Sequence, residues 1–510
     1  MIPLEWMPPL MFGGLIVFML IGFPVAFSLM AAGLFFAGIA IAENFFGMPF
    51  LQAIPQRIFG SVLANDLLLA IPFFTFMGAI LERCGLAEEM LDSMGQLFGR
   101  IRGGLGYSVI IVGFILGAIT GTVAAQVIAM AMISLPVMMR YGYNMRYATG
   151  VLAASGTITQ LVPPSLVLIV LADQLKTQSG SADVGSMYLG AWGPSLLQIG
   201  LFALYTFFLS RFRPDYLPAA PENELTLTGW VLWKKCLMGI IPSAVLIFLV
   251  LGTIMTGIAT PTESGAMGAM GALLLAWIRR ASIPNLKRLI QEAYQNTMRI
   301  TAMVVFILIG STCFSVVFQG VDGGHWVEDL FSNLPGGWVG FLVVVNLFVF
   351  FLAFFLDFFE IAFIVVPMLA PVAVKLLSPV LLASMNGNPQ AAASAALVWF
   401  GVMLCVNMQT SFMHPPFGFA LFYLRGVAPK EVKSSDIYWG ALPWVALQLI
   451  MVIVVAAFPA LVTTLLDKPA AVIQSQDFNF TSGDEAKSET SSSKTDEDAP
   501  VVFQLDKQGK

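Results

Sequence analysis

The stretches ASGTITQLVPPS, Ala154 to Ser165, and VNMQTSFMHPPFG, Val406 to Gly418, each lie inside a long apolar run. Small hydroxyl or amide residues stand six to eight positions before a proline pair in both. Ser155, Gly156 and Thr157 precede Pro163-Pro164. Asn407 and Gln409, then Thr410 and Ser411, precede Pro415-Pro416. Proline removes a backbone donor and clashes with the preceding turn. Two in succession open a helix and free carbonyl oxygens, which hydroxyl and amide side chains can join as ligands. The competing interpretation is a helix kink packed by its neighbours.

The solvent of these runs follows from composition. The chain has 510 residues, 58% of them hydrophobic and 11% charged, with a mean hydropathy of +0.85. A soluble domain is roughly a quarter charged. So apolar a chain cannot cover itself with polar groups, which excludes a soluble enzyme, a nucleic-acid binder and a disordered scaffold. The net charge of −5 offers no basic footprint for nucleic acid. The four cysteines form no C-x-x-C pair and read as small buried hydrophobes. Nine acidic and five basic residues fall from Asp467 onward. This polar tail, 467–510, reads as disordered.

A spanning helix needs about 20 apolar residues. Qualifying runs extend from 8–42, one helix or two broken at Gly22-Phe23-Pro24, to 438–466. No basic leader with a cleavage site precedes them. Cytoplasmic loops collect Lys and Arg. The loops with Arg100/Arg102, Arg140/Arg146, Lys234/Lys235 and Arg279/Arg280 therefore face inward, and those around Asp173, Thr260 to Glu263 and Asp322 to Asp329 face outward. Segment 103–139 has basic flanks on both sides, too little length for two full crossings, and a turn-like centre at Thr120-Gly121-Thr122. It reads as a re-entrant hairpin entered from inside. Segment 338–377, with Asp357 and Glu360 at its centre, reads as a hairpin entered from outside. Irregular backbone at membrane depth is tolerated only where protein or a watery cavity covers it, which points to a solute pathway.

After each hairpin comes a broken segment, 145–172 or 391–424, and then one more crossing. The unit thus occurs twice, inverted: residues 1–235 with the N-terminal helices, and 236–466. Inverted repeats with paired broken helices place substrate and ion sites near the midplane.

An ionisable residue in a span is a functional hypothesis. Asp357 at the second tip is read as support for a cation or as a cap on the outer half-helix; the two are compatible. Glu360 reads as structural. The first-tip hydroxyls face an ion or solute, or satisfy their own turn. His414 titrates, touches an anionic solute, or is a hydrogen-bonded structural histidine; His325 is solvated. No G-x-x-x-x-G-K-[ST] or H-E-x-x-H occurs, and nothing resembles an activated nucleophile, so the chain is not read as an enzyme. Transport driven by an ion gradient remains.

At this point the sequence resembles the large membrane (M) subunit of tripartite ATP-independent periplasmic (TRAP) transporters over about residues 5–466. The resemblance lies in GAITGTVA (117–124), PVMMRYGY (136–143), AASGTITQLVPPS (153–165), TPTESG (260–265), FLDFFEIAFIVVPMLAP (355–371) and QTSFMHPPFGFALFYLRGVAP (409–429). Thr159-Gln160-Leu161 departs from the Gly and Pro common there. The resemblance implies an ion-transporter-superfamily elevator fold. It also implies a multi-pass protein of the bacterial inner membrane that uses Na+ as coupling ion and imports an organic acid. Its implied partners are a small four-helix membrane subunit and a periplasmic substrate-binding protein. The solute and ion site is expected at Thr120, Gly121, Thr122, Ser155, Gly156, Thr157, Pro163, Pro164, Asp357, Asn407, Gln409, Thr410, Ser411, His414 and Pro415. Sodium is expected near Thr122, Gly156, Thr157, Asp357 and Thr410. The rivals are a standalone anion carrier of the same superfamily and a structural subunit of a membrane energy-coupling complex.

Overall fold

The computed structural model describes residues 3–221, 229–281, 283, 285–332, 334–414 and 418–466, without the side chains of Leu20 and Thr120. The tail 467–510 and Pro415 therefore lie outside the described residues. Within them the chain is helical, apart from turns and one isolated bridge between Lys176 and Ser181. Eight of the described helices are long and apolar enough to cross a membrane. The chain is an all-α polytopic membrane protein.

The run 8–42 is two helices, α1 (Met7–Leu20) and α2 (Val25–Ala42), parted at Gly22-Phe23-Pro24. A short α3 (Ala53–Arg57) leads to α4 (Ala70–Arg83) and α5 (Leu86–Phe98). Then come α6 (Gly104–Thr120), α7 (Val123–Arg140), α8 (Met145–Thr157), α9 (Leu166–Gln174) and α10 (Val184–Phe212). A linking helix, α11 (Gly229–Met255), precedes α12 (Pro261–Ile278), α13 (Leu286–Gly320), α14 (Gly323–Ser332), α15 (Gly337–Leu352) and α16 (Phe358–Leu381). The chain continues through α17 (Pro389–Met408), α18 (Phe419–Val427), α19 (Ser434–Ala457) and α20 (Ala460–Thr463).

Helices α5 and α14 occupy stretches that read as loops in the sequence. Each is short and one-sided. In α5, Leu86, Met90 and Met94 recur every fourth residue and are buried, while Glu88 and Glu89 sit in its first turn, where the helix dipole favours acids. Neither helix is long enough by itself to register as a span.

Loop charge sorts by end. Asn65 Nδ2 donates to Asp173 at 2.8 Å, and Thr262 Oγ1 to the Asp66 carbonyl at 2.7 Å. At the other ends of α4 and α12, Arg83 and Arg279 pair with Glu292 and Glu89, and near the start of α11 Lys235 pairs with Asp92 of α5 at 2.5 Å. Thus α4, α12 and α13 each run between an acidic-loop end and a basic-loop end. At the start of α12, Thr260 and Glu263 form a capping box, and the Thr260 hydrogen bonds hold the Glu263 carboxyl below the usual range.

The two halves exchange partners. Helix α2 packs along α13, and α12 along α4; α19 packs on α8, and α10 on α17. The α8–α19 crossing is close. A Cβ on Gly150 would stand 2.3 Å from the Gly440 carbonyl oxygen, and one on Gly440 2.2 Å from that of Arg146. Small residues let helix backbones approach in lipid, where burial of apolar surface gives no driving force.

Candidate functional site

Helix α8 starts on Asn144, whose side chain accepts from the Arg146 and Tyr147 amides, and stops at Thr157. A 3-10 turn, Ile158–Gln160, follows, and the chain then opens through the cis Pro163–Pro164 peptide. Ser165 accepts from Val167 N at 3.1 Å and starts α9. In the second half, α17 stops at Met408, a 3-10 turn covers Gln409–Phe412, and α18 begins beyond Gly418.

Each break is met by a helical hairpin. Helices α6 and α7 fold back at Gly121, whose φ of +62° needs glycine, and Thr122, which is extended. Thr122 starts α7 without a side-chain cap, so its hydroxyl is not spent on that helix. The second turn lies between α15 and α16. There Asp357 Oδ1 accepts from Glu360 N, and Glu360 Oε2 from Asp357 N, both at 3.0 Å. Asp357 therefore caps α16, and Glu360 is buried as its partner.

Gln126 of α7 ties the first hairpin to the first break. Its Nε2 donates to the Gly113 carbonyl at 2.6 Å and to that of Ser155 at 2.9 Å, and Thr159 donates to its Oε1. Gly156 lies so close to α7 that an added Cβ would stand 2.2 Å from Val127. The second hairpin is held by rings. His414 stacks on Phe354 at 4.1 Å and 10°, and meets Phe350 edge-on at 4.5 Å. Phe358, just past the tip, contacts Phe412 at 6.0 Å.

The breaks also meet each other. Gln448 of α19 donates to Thr157 Oγ1 at 2.9 Å and lies 3.6 Å from Met413 Sδ. Cys405 Sγ donates to the Gln160 carbonyl at 3.2 Å. Each hairpin's second arm packs on both breaks: α7 on α8 and α18, α16 on α17 and α9.

Most of the residues singled out in the sequence gather here, with distinct duties. Thr157, Thr410 and Ser411 donate to the carbonyls of Ala154, Asn407 and Met408, at 2.9, 2.7 and 2.7 Å. Their hydrogens are used, so their oxygens remain as acceptors. Asn407 donates to the Asn346 carbonyl of α15 at 2.8 Å and to Asn346 Oδ1 at 3.0 Å, while its own Oδ1 has no partner among the described residues. It braces the hairpin arm. His414 is packed by rings beside the Ala353 backbone, and neither of its nitrogens makes a geometrically well-formed hydrogen bond among the described residues. The same holds for Ser155 Oγ and for both amide atoms of Gln160 and of Gln409, all buried. Unmade bonds of this kind cost about 1–3 kcal/mol each, and here they cluster at the breaks.

Gln126, Gln448 and Asn346 were not anticipated. Each is a lone amide in an apolar run (VAAQVIAM, WVALQLIM, FLVVVNLF), and that isolation was the available signal.

Residues 12–461 match the family model described as "Tripartite ATP-independent periplasmic transporter, DctM component". The chain belongs to this family. It is 27% identical over 468 residues to the C4-dicarboxylate TRAP transporter large permease protein DctM of Rhodobacter capsulatus, covering 89% of this chain and 97% of that protein. It is also 27% identical over 439 residues to the sialic acid TRAP transporter large permease protein SiaM of Vibrio cholerae, covering 86% and 93%. Among solved structures, the Alcanivorax borkumensis YdaH transporter superposes with a TM-score of 0.53 at 16% identity, over 81% of this chain and 88% of that one. That likeness speaks for the fold alone. For a TRAP large permease, paired breaks met by paired hairpins form the candidate translocation site.

Proposed function

We propose that this chain is the large permease of a sodium-coupled, binding-protein-dependent importer of an organic acid in the bacterial inner membrane. A periplasmic protein delivers the solute, and a small four-helix membrane subunit completes the complex. The observation that carries this reading is the convergence of two opened helices and two hairpins on buried, partnerless polar atoms. Backbone carbonyls of the two breaks have a second lone pair beyond the donors they already accept, and with the remaining acceptor capacity of the Thr157 and Thr410 oxygens they suit a weakly bound cation. Half-helix N-termini at α7, α9 and α18 suit a carboxylate, while that of α16 is already capped by Asp357. The organic-acid class is supported by the dicarboxylate and sialic acid relatives. The shared packing of each hairpin on both breaks supports a site that travels as one body, an elevator.

The test is uptake in proteoliposomes containing both membrane subunits, with the binding protein outside. Import should require an inward sodium gradient and the binding protein. Asp357→Ala and Thr122→Ala should each lower it while leaving insertion unchanged. Uptake driven by protons or ATP without sodium would refute the coupling.

A further inference from the structure

A cavity of about 730 Å³ opens at the acidic-loop end, between α3 and α13 on one side and α9 and α16 on the other. That volume suits a small solute. Arg57, at the end of α3, lines it; its Nη1 donates to Gln319 Oε1 at 2.8 Å. Ser311, Ser315 and Gln319 also line it. Their spacing of four places them on one face of α13, so a polar stripe descends this wall from Arg57.

The charged lining is balanced, Arg57 and Lys176 against Asp66 and Asp173, so the attraction for an anion lies in how these groups are paired. Across the cavity, the mostly buried Asp173 is already engaged by Lys176 at 2.6 Å and Asn65 at 2.8 Å. Asp66 also lines the cavity, and both it and Arg57 are exposed. Arg57 makes no ion pair among the described residues, and four of its five donors remain free of side-chain partners. A guanidinium fork matches a carboxylate in two parallel bonds. Phe363 and Pro367 of α16 line the cavity deeper in. Phe363 is six residues past Asp357, roughly 9 Å of helix rise. The cavity thus leads from the outer surface toward the second hairpin tip.

We propose that this cavity is an outer vestibule for organic anions, in which Arg57, aimed by Gln319, takes the carboxylate before it reaches the hairpin tips. The assignment rests on the organic-acid reading above for its substrate class.

The test places a reporter thiol at Ser315→Cys and exposes the outer face to two membrane-impermeant thiosulfonates, one carrying a sulfonate and one a quaternary ammonium, at low ionic strength. The four native cysteines are buried, and the unsubstituted protein is the blank. The thiol should react from the outside, with a preference for the anionic reagent. Arg57→Gln should cut the anionic-to-cationic rate ratio roughly five-fold, and Arg57→Lys should restore most of it. Succinate should slow modification in the arginine protein but not in Arg57→Gln; succinamide should slow neither. A ratio unchanged by Arg57→Gln, or reaction only from the basic-loop side, overturns the proposal. So does succinate protection that is equal with and without the arginine. Should Ser315→Cys fail to fold, as judged by gel filtration, Thr312→Cys on the same wall replaces it. The labelling ratio needs no transported substrate, so its failure is distinguishable from failure of the uptake assay.

Discussion

The two breaks share a topology and differ in how they are fastened. The first is tied by directional bonds: Gln126 reaches two carbonyls and receives Thr159, joining both hairpin arms to α8. The second is packed mainly by rings, His414 between Phe354 and Phe350, with Phe358 against Phe412, beside one amide contact, Asn407 to Asn346 of α15. A displaced amide loses specific bonds within a dry core. A displaced ring keeps much of its dispersion contact as it slides. The first hairpin is therefore fastened to its break through both arms, whereas the second is tied at α15 by Asn407 and otherwise seated on rings. Repetition of a fold does not imply repetition of the chemistry that closes it.

Four substitutions break or sharpen this contrast. Gln126→Leu should cost most, about 2–3 kcal/mol, because two buried bonds and the seat of Thr159 go together. Denaturant unfolding of the purified protein measures it, and a loss no larger than that of a ring substitution at the second break would erase the contrast. Gln448→Leu keeps the volume but unlinks Thr157 from α19; the expected loss is about 1 kcal/mol, with uptake falling far more than stability. His414→Phe preserves the stack. Its stability should stay within about 1 kcal/mol of the parent by thermal unfolding, and a collapse would mean that the ring nitrogens, not the faces, hold the second break. Thr122→Ala should be the mildest, within about 0.5 kcal/mol, since its hydroxyl caps nothing. Its effect should show in uptake alone.

Much of the frame was legible because its causes are local. Proline pairs mark where α8 and α17 give way, since a missing donor acts wherever the residue lies. Asp357 three residues before Glu360 reads as a cap, which α16 has. Helices α5 and α14 escaped notice because half of each is polar, and a search for continuous apolar runs passes over them. The amide nitrogen of Asn407 is spent on Asn346, sixty-one positions away, which its neighbours in sequence do not announce, while its oxygen stays buried without a partner among the described residues. A residue's place along an opened helix says little about the direction of its amide.

The sequence by itself determined that this chain lives in a bilayer, that its helices open twice, and which loops collect at which end. Composition, proline chemistry and charge act residue by residue, so they survive being read one residue at a time. Only the tertiary structure decided that the halves exchange partners, that Gln448 bridges the breaks, that rings and Asn407 hold one hairpin while Gln126 ties the other, and that Arg57 faces a cavity near α16. These are pairwise facts between distant positions. They are set by which helix faces pack in three dimensions, and no single stretch of the chain encodes them.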